Sequence, residues 1–203
     1  MTAIELRNEH LLPPARRPHN EVGWWGMVLF LFNEAALFAS LIASYLYLGL
    51  RSTSWPPAGI AKPELRLPLV MTAALLSSSV VLVFAEKAFE RGARVAYRIR
   101  TLVTVALGIT FLLIQVREYV SALKQGGPTI HAYESLFFTI TGLHGAHVAV
   151  GLLLLVWALA REWSGTTTPR HPLAIKNTSL YWHFVDGVWL VILTALYLSP
   201  RWY

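Results

Sequence analysis

The 203-residue sequence contains no cysteine. Disulfides, thiolate metal sites and cysteine nucleophiles are therefore excluded, and any bound metal would need histidine and carboxylate ligands. Charge is also scarce, at 14% of residues, and the formal excess of +6 is scattered among loop ends. No basic stripe interleaved with aromatics exists, which argues against a nucleic-acid partner. The HExxH pattern of zinc hydrolases is missing, and no internal repeat supports an inverted-repeat transporter. The first twenty residues mix acids, bases and three prolines, without the short apolar core and small-residue cleavage site of a secretory signal. They read as a soluble, weakly ordered tail, with the first apolar span as the membrane-targeting element.

Apolar residues, by contrast, make up 55% of the chain, and the mean hydropathy is +0.50. Such a composition belongs to an integral membrane protein. Five runs are long enough to cross a bilayer as helices, at about residues 24–49, 67–89, 101–123, 136–159 and 179–198. The expected fold is an all-α bundle of five transmembrane helices over residues 23–203, preceded by the polar tail 1–22. Residues 51–68 are a proline-rich loop, Lys124–Ser135 turns on its Gly-Gly-Pro, and Glu162–Pro172 forms a polar loop. Glu86–Arg100 reads as a short connection holding the densest basic cluster. Eleven of the seventeen lysines and arginines fall on the amino-terminal side of this layout. The positive-inside rule then places the amino terminus inside and the carboxyl terminus outside.

Polar groups stand out against this background. In the run TGLHGAHVAVG, Thr141 to Gly151, His144 and His147 lie at membrane depth with i, i+3 spacing, which puts both on one helical face. Gly142, Gly145 and Gly151 lie on or beside that face and permit close approach of a second helix. Glu34 sits ten residues in from Trp24, roughly 15 Å, near the middle of the first span. An ionised carboxylate at that depth costs about 2.5–3.5 kcal/mol, so Glu34 should be protonated or share a proton with a neighbour. In LYWHFVDGVW, His183 and Asp186 share a face of the fifth span, with Trp182 and Trp189 on adjoining positions. Ser77, Ser78 and Ser79 make the second span a packing surface. Gln115, Glu118 and Tyr119 approach the far interface, where Arg117 and Glu118 reach water by snorkelling.

Three readings fit the five buried ionisable residues. A metal or haem site suits histidine, but bundle haems need facing histidines at matched spacing, and four of the seven histidines lie in the tail and loops. A proton or ion pathway suits a series of Glu, His and Asp. A packing subunit whose buried polar groups bond to one another fits as well.

The motifs themselves resemble subunit III of the haem-copper respiratory oxidases, from about Gly26 to the carboxyl end. GMxLFxxxE (Gly26 to Glu34), LPLxxTAxLLSSS (Leu67 to Ser79), the EY of Glu118 and Tyr119, TGLHGAHVAVG, and YWHFVDGVW (Tyr181 to Trp189) carry the resemblance. It implies an accessory subunit in the cell membrane with no catalytic residue and no metal of its own. Haem and copper belong to the catalytic subunit I, its direct partner, with subunit II in the same complex. The family role is to support proton entry and turnover stability while the complex reduces dioxygen and pumps protons. The resemblance makes Glu34 the family's buried, carbodiimide-reactive glutamate, and places Arg161 and His171 at positions that contact phospholipid in a cleft. Larger members have two further amino-terminal helices that wall this cleft. The five-helix length occurs in both cytochrome c and quinol oxidases, and a glutamate at Glu34 favours the first.

Overall fold

A computed structural model describes residues 18–57, 60, 63–124, 131–169 and 172–201. Its elements are five helices: α1 (Pro18–Arg51), α2 (Arg66–Glu90), α3 (Arg94–Lys124), α4 (Ala132–Trp163) and α5 (Leu173–Ile192). A π-helical stretch, Leu193–Leu198, and a 3-10 turn, Ser199–Arg201, continue α5. Each helix, α5 together with its π-helical continuation, is long and apolar enough to cross a membrane. Among the described residues there is no strand.

The helices overrun the spans expected from hydropathy. The basic connection after the second span is almost wholly helical, because charged residues extend a helix past the hydrocarbon into headgroups at little cost. Only Arg91 to Ala93 turn, in a Schellman motif where Ala93 N–H bonds Ala88 O at 2.9 Å and Gly92 N–H bonds Phe89 O at 2.9 Å. Gly92 takes φ +75°, open to glycine at no steric cost. The same motif ends α4, with Thr166 N–H on Arg161 O, Gly165 N–H on Glu162 O, and Gly165 at φ +76°. Helix α5 begins at Leu173, six residues before the expected start.

Helices α2 and α3 form the closest pair, and α4 and α5 pack against each other and against α1. Helix α5 also touches α2, while α3 touches α4. Two glycines set this packing. The Trp182 ring lies between Gly108 of α3 and Gly151 of α4, where an added Cβ would stand 2.6 Å from Cη2 and 2.8 Å from Cε3 respectively. Its indole N–H donates to Ser78 Oγ at 3.0 Å, and that of Trp189 donates to Thr72 Oγ1 at 2.9 Å. Thus α5 is pinned to α2 at two levels. Gly145 admits the Gln115 amide, which donates to Thr141 O at 2.6 Å, and Gly142 borders the Tyr119 hydroxyl, 2.5 Å from Thr141 Oγ1. At one end of the bundle Tyr45, Trp55, Tyr133, Phe137 and Tyr197 form a cluster of rings.

The other end holds a buried ion pair that charge patterning concealed. Glu162, expected in a polar loop, belongs to the last turn of α4 and is 0% exposed. Arg98 of α3 reaches it from Nε at 2.7 Å and from Nη2 at 3.4 Å, and Arg94 Nε approaches at 3.9 Å. Removing one partner of a buried pair strands the other charge. Arg98→Ala should therefore lower the melting midpoint of the bundle, by less than loss of a fully buried partner would because Arg98 is partly exposed. Unfolding of the purified chain in detergent measures this; an unchanged midpoint would show that Arg94 alone neutralises Glu162.

Candidate functional site

Four of the five buried ionisable residues read from the sequence meet polar partners within the bundle. Glu34 on α1 and His147 on α4 pair directly, Oε2 to Nε2 at 2.9 Å, with both side chains 14% exposed. The other ring nitrogen of His147, Nδ1, lies 2.8 Å from Leu143 O. A carbonyl oxygen only accepts, so Nδ1 bears a hydrogen. The Glu34–His147 contact then contains a single proton, held either by the carboxyl or by Nε2. Both forms of the pair carry zero net charge, which is how a carboxylate and an imidazole can share this depth.

His144 takes another course. The shared face suggested that both histidines would find polar partners on protein, yet His144 is fully buried and neither ring nitrogen has a hydrogen-bond partner. Its ring stacks on Trp189 with centroids 5.2 Å apart and meets Phe111 edge-to-face at 5.6 Å. Three residues turn a helix by about 300°, enough to aim His147 at α1 while His144 points among aromatic rings of α3 and α5. An N–H facing a π-cloud is a weak substitute for a normal acceptor.

On α5, His183 and Asp186 share a face as expected, and a third residue joins them. Ser79 of α2 donates to Asp186 Oδ2 and lies 2.8 Å from His183 Nδ1. A serine has one hydrogen, so with that hydrogen on Asp186 the His183 Nδ1–H must be the donor to Ser79 Oγ. The result is a relay, His183 to Ser79 to Asp186, across the α2–α5 seam. Asp186 is buried and its Oδ1 has no partner. Of the three consecutive serines, Ser77 faces outward, Ser78 holds Trp182 and Ser79 holds the relay. Nothing in a run of three identical residues distinguishes those roles.

Arg161, at the end of α4, lies over the Trp157 ring at 5.1 Å and borders a 450 Å³ pocket between α1, α4 and α5, with Met27, Asn177 and Thr178 among its walls. His171 lies outside the described residues. Among the described residues, no three or more histidines, aspartates or glutamates converge to hold a metal ion.

The comparisons with known proteins agree on one family. Residues 19–202 match the family described as cytochrome c oxidase subunit III. A cytochrome c oxidase subunit 3 from Synechocystis sp. is 36% identical over 181 residues, covering 89% of this chain and 77% of the relative. One from Thermostichus vulcanus is 35% identical over 209 residues, covering 98% and 95%. The earthworm Lumbricus terrestris supplies a third, 34% identical over 179 residues, covering 85% and 68%. These names favour the cytochrome c oxidase reading over a quinol oxidase. With its match spanning all five helices, the chain belongs to the cytochrome c oxidase subunit III family.

Proposed function

We propose that the chain is the accessory subunit of a proton-pumping cytochrome c oxidase, carrying no redox centre and packing directly against the haem-copper subunit I, with subunit II in the same complex. Its terminal orientation is amino end inside, in the cell membrane, as the distribution of basic residues implies. The observation that carries the reading is the Glu34–His147 pair, which holds one proton between α1 and α4 near mid-span. A group that stores a proton without net charge suits a subunit that conditions proton supply and leaves electron transfer to others. The Arg161 pocket suits an anionic phospholipid headgroup, with the guanidinium supplying charge-assisted hydrogen bonds.

The test is to isolate the complex through a tag on this chain and then to separate the chain from it. Haem and copper should co-purify with the complex, and the separated chain should carry neither. A stoichiometric metal that stays on the isolated chain through chelation and is lost on His144→Ala would overturn the non-redox role.

A further inference from the structure

We propose that Arg94 and Arg98, at the end of the bundle where α3 begins and α4 ends, bind the phosphate of an anionic phospholipid whose acyl chains lie along the outer seam between those two helices. The site is separate from the Arg161 pocket, which opens between α1, α4 and α5. It does not depend on which complex the chain joins.

The charge count points to a ligand. Glu162 is 0% exposed, and a buried carboxylate needs one cation beside it. Arg98 supplies that cation, from Nε at 2.7 Å. Arg94 sits one turn earlier on α3, with its side chain 50% exposed and its Nε 3.9 Å from Glu162 Oε1. Its guanidinium makes no hydrogen bond to a described residue. Two guanidiniums therefore face one carboxylate, and a positive charge with a free fork of N–H donors is left over.

Placement says what kind of ligand. The apolar span of α3 begins at Arg94 and that of α4 ends at Trp163, so the arginines stand at headgroup level. The Arg98 guanidinium lies over the Trp163 ring at 5.0 Å, and that ring is 66% exposed. Tied to Glu162 along one edge and stacked on the indole across its plane, Arg98 is oriented before any ligand arrives. Toward the membrane core the surface turns apolar. Leu102, one turn on from Arg98, and Val156, two turns back from Trp163, are both exposed.

These features select the occupant. A phosphate diester offers oxygens to both guanidiniums, and acyl chains cover the apolar strip that a soluble anion would leave bare. A zwitterionic lipid would bring its ammonium to an end that already carries Lys87, Arg91 and Arg100. No carboxylate there is free to receive it: Glu162 is taken by Arg98, Glu90 pairs with Lys176 at 3.5 Å, and Glu86 lies beside Ser179 of α5. An anionic headgroup satisfies the surplus charge directly.

Arg94→Gln removes the free fork and leaves the Arg98–Glu162 pair in place. The full chain is reconstituted in phosphatidylcholine vesicles holding increasing amounts of phosphatidylglycerol with brominated acyl chains. Binding is read from quenching of Trp163 fluorescence, taken as the difference from Trp163→Phe. Half-quenching should need roughly tenfold more phosphatidylglycerol in Arg94→Gln, and an unchanged amount in Arg91→Gln, which loses the same charge at the same end. An equal shift in both variants would replace the site with a diffuse basic surface and overturn the proposal, as would no shift in either. The unaltered chain gives a measurement independent of any folding defect in the variants. There, brominated phosphatidylglycerol should quench Trp163 more strongly than brominated phosphatidylcholine at equal content, and equal quenching would refute the preference for an anionic lipid. Inorganic phosphate at matched ionic strength should leave the quenching unchanged; its reversal by phosphate would mark a site for soluble anions instead.

Discussion

An oxidase stripped of this chain is expected to start reducing dioxygen at close to its normal rate and then to lose activity during turnover, sooner as the pH rises. In the proposed accessory role the chain brings no catalytic group, so the chemistry itself should survive its removal. What it brings to mid-membrane is a set of proton-holding groups: the Glu34–His147 pair and the His183–Ser79–Asp186 relay. If these shape the environment through which protons reach the catalytic subunit, their loss slows proton delivery and prolongs partly reduced oxygen intermediates. Scarcer protons at higher pH lengthen that exposure. The measurement is oxygen consumption against time, with and without the chain, at several pH values. Identical decay in both preparations would refute the role, and immediate total loss would make the chain part of the catalytic machinery. Glu34→Ala in the intact complex should leave the initial rate near normal, because the proposed accessory role puts the side chain outside the redox path.

The second large effect concerns the bundle itself. Gly108→Leu should prevent the chain from accumulating in folded form. A Cβ alone would stand 2.6 Å from Trp182 Cη2 and 2.8 Å from Leu152 Cδ2, and Trp182 cannot retreat, because it is clamped on its other edge by Gly151 and tied to Ser78. Overpacking a core costs typically 1–3 kcal/mol, about the upper end or beyond when the obstructing group is fixed. Gly108→Ala should lower the melting midpoint visibly. Trp182→Phe, destabilising alone through the lost ring volume and hydrogen bond, should relieve part of the Gly108→Ala defect, because the two changes act on one contact. Strictly additive effects of the two substitutions would show that the clash is absorbed elsewhere.

How much of this was legible in the sequence differs between depth and direction. Five apolar runs revealed five helices, because hydrocarbon demands about twenty apolar residues whatever the tertiary packing. The ends of those helices were not legible. Residues 86–100 and Glu162 looked like loops because charge usually means solvent, whereas here it means a helix continuing into the interface and an arginine reaching across to a buried carboxylate. Likewise the depth of Glu34, His147, His183 and Asp186 could be counted along the chain, and their partners could not. Helix rotation decides that His147 meets Glu34 while His144 enters an aromatic cage. Ser79 becomes part of the relay only because α2 and α5 pack in one register, set by the tryptophan pins Trp182–Ser78 and Trp189–Thr72.

The anchoring of His147 Nδ1 by Leu143 O has an electrical consequence. A full charge crossing the bilayer gains about 2.3 kcal/mol per 100 mV of membrane voltage. Between Glu34 and His147 the shared proton travels only about 1 Å of a core some 30 Å thick, so the voltage acts on it with less than about 0.1 kcal/mol per 100 mV. Local hydrogen bonds outweigh that term many times over. The pair keeps its proton in the same place whether the membrane is energised or not, which makes it electrically silent in the field that the oxidase itself builds.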